Sequence, residues 1–360
     1  MDERWQRDAT QFCVRQERSI REVVAQMDKT RIGIALIVDE HQKLVGTVTD
    51  GDIRRATLAN TDLDQAVSEL CKGKAGSKFA KPITAPISAD SATCLHLLQE
   101  HSILHLPLVD EAGRAAGLAK LSDFVPDDNP RLTAVVMAGG LGTRLRPLTN
   151  NTPKPMLPVG DKPLMEITLE RFKAAGISRV NIMTHYKAQQ ITEYFGDGSN
   201  HGVEINYVAE DRPLGTAGGL GLLERPDETL LVINGDILTQ VDFRAMLTFH
   251  REHKASLTAG VRRHQVEVPY GVMDCDGVMV RRVREKPILN FFVNAGIYLL
   301  EPVVHSFIPV DKPFDMTDVI DRLIQADRSV VGFPIHEYWL DIGQTIDYER
   351  ALNDLKTGKM

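Results

Sequence analysis

Residues 135–155 place a glycine-rich loop directly before several basic side chains. An apolar run leads into three glycines, which are Gly139, Gly140 and Gly142. Arg144, Arg146 and Lys154 follow shortly after them. Glycines allow backbone N–H groups to approach a polyphosphate closely, and fixed cations balance its charge. This combination of residues suits chemistry on a nucleoside triphosphate.

Two better-known phosphate loops fit the same segment poorly. A dinucleotide-binding G-x-G-x-x-G loop needs a small third residue, and Leu145 stands at that position. A P-loop closes with Gly-Lys-Ser/Thr, which Thr143-Arg144 does not match. An ordinary glycine turn would require neither Arg144 nor the Pro-Lys-Pro triplet at 153–155.

The composition excludes several classes of protein. At 360 residues the chain is long enough for two domains, and its 43% apolar and 25% charged residues are typical of globular proteins. A net charge of −7 without a Lys/Arg block gives no support for nucleic-acid binding. The sequence has no signal-peptide pattern and no apolar run near the ~18 residues that span a bilayer. Four scattered cysteines without zinc-ligand spacing favour a reducing cytoplasm.

The chain divides at residues 126–130, where two prolines flank polar turn formers. Such a segment predicts a linker, placed at 127–131. Upstream, a weak repeat of about sixty residues has the order helix, strand, strand, helix. We therefore expect two paired βαββα units, at 8–70 and 78–126.

These repeats resemble a tandem CBS (Bateman) module, a family that often binds adenine nucleotides through a G-x-x-[ST]-x-x-D segment. The first copy has this segment as Gly46, Thr49 and Asp52. The second copy keeps Asp123 but has Lys120 where Ser or Thr is expected. The resemblance implies one competent adenine-nucleotide site. The alternative is that the repeats only join copies of the chain into a homo-oligomer.

Downstream of the linker, apolar strand patterns alternate with helical patterns from 132 to 352. Alternation of this kind predicts an α/β fold, with a mostly parallel sheet and helices on both faces. Ligands of such sheets bind at the carboxyl ends of the strands, where both Gly139 and Asp236 fall.

The segment 139–149 reads G-G-x-G-T-R-L-x-P-L-T and is followed by P-K-P, which resembles the signature of the sugar-1-phosphate nucleotidyltransferases. The resemblance extends over 131–352 and implies their Rossmann-like fold. It also implies transfer of a nucleotidyl group from an NTP to a sugar 1-phosphate, with release of pyrophosphate. A phosphate monoester has a second pKa of about 6 and is largely dianionic at neutral pH. The reaction therefore needs charge neutralisation and in-line placement rather than a general base.

The same resemblance assigns roles to individual residues. Arg144 would hold the β- and γ-phosphates and the departing pyrophosphate, and Lys154 would bridge the α-phosphate and the sugar phosphate. Asp236 and Asp341 would hold a Mg²⁺ cofactor, because Mg²⁺ is bound by one or two carboxylates together with phosphate oxygens. The loop around the nucleotide would comprise Ala138, Gly139, Gly140, Gly142 and Thr143.

The sugar side and the nucleobase side are also implied by later segments that resemble family motifs. On the sugar side the residues are Gly271, Glu285, Lys286 and Asn294. Gly215 and Thr216 belong to the loop over the nucleobase, and Glu210 stands just before it where thymidylyl and uridylyl relatives often carry glutamine. A carboxylate only accepts hydrogen bonds, which suits the N1–H and N2–H₂ donors of guanine. GTP is therefore the leading choice, unless Glu210 points to solvent or caps the loop.

A CBS pair ahead of this enzyme type resembles guanylyltransferases that make GDP-glucosamine-type donors for nonulosonic (legionaminic) acid pathways. Glucosamine 1-phosphate is accordingly the leading acceptor, and mannose 1-phosphate as well as uridylyl or thymidylyl transfer stay open. A different reading is a catalytically inert, nucleotide-sensing subunit. Inert relatives tend to lose the loop arginine, the lysines or the metal aspartates. Here all of them are present, as Arg144, Lys154, Asp236, Lys286 and Asp341.

Overall fold

The computed structural model describes residues 9–74, 76, 80–124 and 130–360. The chain divides into two units, Met1–Asp128 and Asn129–Met360. Most of the predicted linker at 127–131 lies outside the described residues, as do the first residues of both predicted repeats. The exact domain bounds therefore stay predictions.

The N-terminal unit contains two three-stranded sheets with the same topology, in which a short strand pairs parallel with a second strand that pairs antiparallel with a third. The strands are β1 (Cys13–Arg15), β2 (Ile34–Val38), β3 (Leu44–Thr49), β4 (Ala85–Pro86), β5 (His105–Val109) and β6 (Ala115–Lys120). The helices are α1 (Ile20–Thr30), α2 (Asp50–Leu58), α3 (Val67–Lys72) and α4 (Ser91–Glu100). The first copy thus has the predicted βαββα order. In the second copy the position of the last helix holds a 3₁₀ turn, Leu121–Asp123.

The two repeats contact each other within this unit. The N–H of Leu44 donates to the carbonyl of Gly113 at 3.0 Å, beside an apolar cluster that includes Phe12, Leu36 and Leu118. Phe12 and Leu36 come from the first copy and Leu118 from the second. The predicted pairing of the repeats is therefore formed by a shared core.

The C-terminal unit is built on a seven-stranded sheet with the order β11-β10-β7-β12-β17-β14-β18. Its strands, together with short outlying pairs, are β7 (Leu132–Met137), β8 (Pro158–Val159), β9 (Lys162–Pro163), β10 (Arg179–Thr184), β11 (Glu204–Ala209), β12 (Thr229–Asn234), β13 (Ile237–Thr239), β14 (Leu257–Glu267), β15 (Val272–Asp276), β16 (Met279–Arg284), β17 (Ile288–Leu300), β18 (Val330–Pro334) and β19 (Trp339–Asp341). Strand β17 runs antiparallel to both of its neighbours, and the other pairs in the sheet are parallel. The mostly parallel α/β fold is confirmed.

Helices cover both faces of this sheet. They are α5 (Leu164–Ala175), α6 (Ala188–Phe195), α7 (Phe243–Glu252), α8 (Met316–Gln325) and α9 (Thr345–Lys356). Leu231 and Ile233 of β12 belong to the core under α5–α7, whereas Leu230 and Val232 belong to the core under α8. Burial on both faces explains why this strand is continuously apolar. Within the described residues, no helix combines the length and apolar character needed to cross a membrane.

A buried polar network joins α7 to β14, to the start of β12 and to the residue that follows β17. His250 is only 2% exposed; its Nδ1 lies 2.7 Å from Thr258 Oγ1 and its Nε2 lies 2.9 Å from Glu301 Oε1. Thr229 donates to the same Glu301 oxygen at 2.8 Å. Burial lowers the pKa of His250, although Glu301 opposes this shift. The folded chain therefore favours the neutral imidazole.

This depressed pKa makes stability pH-dependent. The pKa of this histidine in the unfolded chain is about 6.5, so below that pH the unfolded chain binds a proton that the folded chain does not. The contribution of neutral His250 to the free energy of unfolding is therefore present above about pH 6.5 and is lost as the pH falls towards the lower pKa of the folded state. We expect the calorimetric unfolding midpoint of the parent to drop more between about pH 7.5 and 5.5 than that of His250→Gln. His264→Gln, at an exposed histidine, should behave like the parent. Equal drops in parent and His250→Gln would contradict the assignment.

Candidate active site

The glycine-rich loop leaves the carboxyl end of β7, where the sheet order switches direction between β10 and β12. Gly142 has φ +62°, and a Cβ there would lie 2.9 Å from Thr149 Cγ2. Thr149 in turn donates its hydroxyl to the carbonyl of Gly142 at 2.7 Å. A side chain at Gly142 is therefore excluded both by backbone conformation and by contact.

The other predicted loop residues lie around this turn. Ala138 is buried and donates its N–H to the carbonyl of Met183 at 3.0 Å. A Cβ at Gly139 would lie 3.1 Å from Glu210, whereas Gly140 has no atom within 4 Å of that position. Thr143 begins an exposed 3₁₀ turn. The loop thus has one packed side, formed by Ala138 and Gly139, and one open side at Gly140, where a ligand can approach the backbone.

Four charged groups meet beside this loop. Lys154 Nζ lies 2.6 Å from Asp236 Oδ2, with the two side chains 11% and 23% exposed. The antiparallel pairing of β13 with β19 places Asp341 opposite Ile237, next to Asp236. Partial burial and the Asp236 carboxylate raise the pKa of Asp341, while Lys154 and Arg144 act in the opposite direction. The residues predicted for phosphate and metal binding are therefore brought together from distant parts of the chain.

The two carboxylates fit a divalent cation. Asp236 Oδ1 is buried and accepts no hydrogen bond from any residue that the structure describes. A buried carboxylate oxygen without a partner, next to a second carboxylate, is a hard-oxygen donor set of the kind that Mg²⁺ and related ions use. In the described ranges, no group of three or more His, Cys, Asp and Glu side chains is arranged so that it could hold a metal ion by itself. The remaining ligands would have to be phosphate oxygens or water.

A cavity of about 330 Å³ adjoins Asp341. Three of its lining residues, Thr216, Asn294 and Asp341, are predicted site residues. Sequence reasoning missed the others, which are Asn234, Ile237, Ala295, Gly296, Tyr298, Asp315, Met316, Thr317 and Trp339. Asn234 stands two residues before the predicted site residue Asp236, and Trp339 stands two residues before Asp341, so both had a nearby sequence signal. Asp315 had no such signal, because it reaches the cavity only through long-range packing.

The walls of the cavity are tied together by hydrogen bonds. Asn294 Oδ1 accepts from the N–H of Gly296 at 3.0 Å, and Trp339 Nε1 donates to the carbonyl of Ala295 at 2.9 Å. Burial raises the pKa of Tyr298 to about 12, although a hydrogen bond with Asn294 lowers it. Hydrogen bonds therefore tie together the walls of a cavity that Asp341, one of the two metal-binding candidates, also lines.

The other predicted sugar-side residues lie on an exposed arm formed by β15 and β16. A Cβ at Gly271 would lie 3.1 Å from Glu285 Oε2, so these two residues are neighbours. Lys286 follows β16 with φ +41°. None of the three lines the cavity that contains Asn294. Their roles stay predictions from sequence.

The predicted nucleobase loop is anchored on both sides. Glu210 is 7% exposed, and its Oε2 accepts a long hydrogen bond from the N–H of Leu214 at 3.5 Å. The carboxyl lies against Gly139 and Gly219, and burial raises its pKa. Glu210 therefore points beneath the glycine loops rather than to solvent. Gly215, at φ +81°, packs against Asp315.

In the N-terminal unit the predicted adenine-nucleotide residues are already partnered. Asp52 Oδ2 accepts from the N–H and hydroxyl of Thr49 at 2.8 and 2.9 Å, and Lys74 Nζ lies 2.5 Å away. Arg55 contacts the other oxygen at 2.8 Å. Burial opposes ionisation of Asp52, but Lys74 and Thr49 outweigh it and lower its pKa.

The other residues predicted to bind an adenine nucleotide also have close neighbours within the protein. A Cβ at Gly46 would lie 2.9 Å from Cys71 Sγ. In the second copy Asp123 accepts from the N–H of Lys120 at 2.9 Å, which starts the 3₁₀ turn. Both aspartates thus act as helix-start acceptors in this structure.

Replacing Lys154 should lower the rate of phosphate chemistry without unfolding the chain. Lys154→Met removes the buried cation beside Asp236, and loss of one such preorganised group costs about 10²- to 10³-fold in kcat. We expect that decrease in a pyrophosphate-release assay. Lys162→Met, at an exposed lysine paired with Glu170, is the matched control and should keep parental kcat. Parental activity in Lys154→Met would rule out its assigned role.

Comparison with known proteins identifies both units. The nucleotidyl transferase family profile matches residues 133–358, and the CBS domain profile matches residues 9–59. The chain is 35% identical to a mannose-1-phosphate guanylyltransferase of Mycobacterium tuberculosis, covering 63% of this chain and 66% of that protein. It is 33% identical to a UTP–glucose-1-phosphate uridylyltransferase of Synechocystis, covering 61% and 62%. The chain thus spans slightly less than two thirds of these relatives.

A solved structure is also similar to the C-terminal unit. It is the crystal structure of a candidate glucose-1-phosphate thymidylyltransferase from Bacillus anthracis in complex with a sucrose. The TM-score is 0.52 at 25% sequence identity, with coverage of 62% of this chain and 94% of that one. Because the family match extends over more than half of its length, this chain belongs to the nucleotidyl transferase family, with a CBS domain in its N-terminal unit.

Proposed function

We propose that this protein transfers a nucleotidyl group from an NTP to a sugar 1-phosphate and releases pyrophosphate. The observation that carries this proposal is the meeting of Lys154, Asp236, Asp341 and Arg144 beside an open glycine loop. Two cations and two carboxylates in one place can bind a polyphosphate with its metal ion. The adjoining cavity offers room for a sugar ring.

The residues of this chain would act by placement and charge. Lys154 would draw the α-phosphate and the sugar phosphate together in line, whether its ion pair with Asp236 breaks or is kept. Arg144 would hold the departing pyrophosphate with its planar fork. Asp236 and Asp341 would hold Mg²⁺, which supplies charge neutralisation at the phosphates when bound. The sugar phosphate is itself the nucleophile, so no side chain has to remove a proton.

GTP and glucosamine 1-phosphate are the proposed substrates. Guanine is supported by the guanylyltransferase among the relatives. Glu210 can accept from the base only by giving up the N–H of Leu214, from which its Oε2 accepts at the start of the nucleobase loop. A uridylyltransferase at similar identity makes UTP the main alternative. The scattered cysteines continue to favour a cytoplasmic protein, and the paired CBS repeats favour a homo-oligomer.

The reaction is tested by measuring pyrophosphate release with Mg²⁺. Each of GTP, UTP, CTP, dTTP and ATP is combined with glucosamine, N-acetylglucosamine, mannose and glucose 1-phosphates. Turnover with one base supports the proposed reaction and identifies the nucleotide. Absence of turnover with every pair, in folded protein, would favour the inert regulatory subunit.

Changing Glu210 should change the preferred base. Glu210→Gln adds a donor that can pair with O4 of a pyrimidine and weakens acceptance from the N1–H and N2–H₂ of guanine. We expect the ratio of kcat/KM for GTP over UTP to fall about tenfold or more, since one hydrogen bond to a charged group contributes that much. Asp211→Asn removes the same charge from the next, exposed residue and serves as control. An unchanged NTP profile in Glu210→Gln would refute the base assignment.

We further propose that the CBS domain binds an adenine nucleotide at Gly46, Thr49 and Asp52. Such binding requires Lys74 to release Asp52, since this lysine lies 2.5 Å from the carboxylate that would accept from a ribose. Lys74 would then compete with the nucleotide for the same oxygen.

Removing this competitor should strengthen nucleotide binding. We expect Lys74→Ala to show a larger thermal stabilisation by AMP, ADP or ATP than the parent, because stabilisation follows affinity through mass action. Asp52→Ala should lose the effect while keeping stabilisation by the substrate NTP. Lys72→Ala, an exposed lysine paired with Glu69, is the control. No shift with any adenine nucleotide in parent or Lys74→Ala would count against this site.

A further inference from the structure

The cavity beside Asp341 differs in charge from the phosphate site next to it. Among its twelve lining residues there is no Lys, Arg or His, and the charged ones are Asp315 and Asp341. The cations of the site, Lys154 and Arg144, do not line the cavity but lie near Asp236 and Asp341. A sugar 1-phosphate bound here would therefore place its phosphate among cations and its ring in an acidic cavity.

Asp315 is held in position from the nucleobase loop. Its Oδ1 accepts from the N–H of Thr216 at 2.9 Å and from the Thr216 hydroxyl at 3.2 Å. The Thr216 oxygen accepts in turn from the N–H of Met316 at 2.9 Å. Around them, the N–H groups of Ala217 and Gly218 donate to the carbonyl of Phe314. The carboxylate therefore stands at a defined point on the cavity wall.

Asp315 is the N-cap residue of α8 and is exposed to solvent. No ion pair within 4.0 Å joins it to a cation in the described part of the chain. The other carboxylate on the wall, Asp341, faces Asp236 and belongs to the candidate metal site. Asp315 is thus the lining carboxylate that belongs neither to an ion pair nor to the candidate metal site, and solvent exposure partly screens its charge.

Such a carboxylate discriminates between ring substituents by charge. An ammonium group gains a charge-assisted hydrogen bond, whereas a carboxylate on the ligand meets like-charge repulsion. A neutral hydroxyl gains an ordinary hydrogen bond only. The difference should be largest for two sugars of nearly the same shape, such as glucosamine and glucose.

We propose that Asp315 determines acceptor specificity by favouring sugar 1-phosphates that carry a free amino group and disfavouring those that carry a carboxylate. This inference rests on the proposed function, because it concerns the acceptor of the same reaction. It adds a specificity residue that no sequence motif indicates.

The test compares kcat/KM for glucosamine, glucose and glucuronic acid 1-phosphates in the parent and in Asp315→Asn. The amide keeps an oxygen that can accept from Thr216, so the nucleobase loop retains its anchor while the charge is lost. We expect the glucosamine-to-glucose ratio to fall about two- to fivefold, the range for an exposed charge pair, and the glucuronic-to-glucose ratio to rise. Asp321→Asn, at an exposed position of α8 that does not line the cavity, removes the same charge and should leave both ratios unchanged.

The outcomes separate this inference from the proposed function. If Asp315→Asn lowers kcat/KM equally for all three sugars, or leaves both ratios unchanged, its charge does not select the acceptor and the inference is overturned. If the parent turns over no sugar phosphate at all, the proposed function fails. In that case calorimetric binding of the same three compounds decides the inference: loss of a parental preference for glucosamine 1-phosphate in Asp315→Asn supports it, and equal binding in the parent overturns it.

Discussion

The site depends on keeping two carboxylates close together at the carboxyl edge of the sheet. Desolvation raises the pKa of Asp341, and repulsion by the Asp236 carboxylate raises it further. Lys154 at 2.6 Å from Asp236 compensates this repulsion, which requires the loop after β7 to fold back over the end of β12. The same cations that make the carboxylates tolerable are those that a polyphosphate needs. The same charged side chains would therefore contribute both to the stability of the fold and to phosphate binding.

The sheet makes this arrangement rigid. β7 and β12 are parallel neighbours, so the residues that follow them emerge at the same edge, and β12 is buried on both faces. Asp341 is added by the short antiparallel pair β13–β19, in which it lies opposite Ile237. Long-range strand pairing thus aligns oxygen ligands that are about a hundred residues apart in the chain. Groups mounted on strand ends are positioned more accurately than groups on free loops.

Each unit has an aspartate at a predicted ligand site, Asp236 or Asp52, but the two aspartates differ in their hydrogen-bond and ion-pair partners. Asp236 retains a buried oxygen without a partner among the described residues, whereas Asp52 has both oxygens engaged by Thr49, Lys74 and Arg55. An unsatisfied buried acceptor indicates a site prepared for a ligand. A fully satisfied one stabilises the helix start and must lose a partner before a ligand can bind. The candidate active site therefore retains an unpartnered acceptor in this structure, whereas Asp52 of the CBS domain is engaged by Lys74.

The sequence by itself predicted the mostly parallel sheet and most of the order of elements, and it indicated a phosphate-binding role for the glycine loop, which stays a prediction. These features depend on periodicity and on residues close together in the chain, such as 139–155, so local physics is sufficient to predict them. Predictions were less complete where distant loops pack against one another. The inward direction of Glu210, the contact of Lys74 with Asp52 and the position of Asp315 on the cavity wall were decided only by the tertiary structure.

The dependence on long-range packing also explains two differences between the sequence predictions and the structure. Asn294 lines the cavity, but Gly271 and Glu285 lie on the exposed β15–β16 arm, although all three belong to consecutive sequence motifs. The closing helix predicted for the second CBS copy is only a 3₁₀ turn over the described residues. A sequence motif specifies which residues can meet a ligand. Whether they meet in one cavity depends on loop closure and burial, which are properties of the whole packed chain.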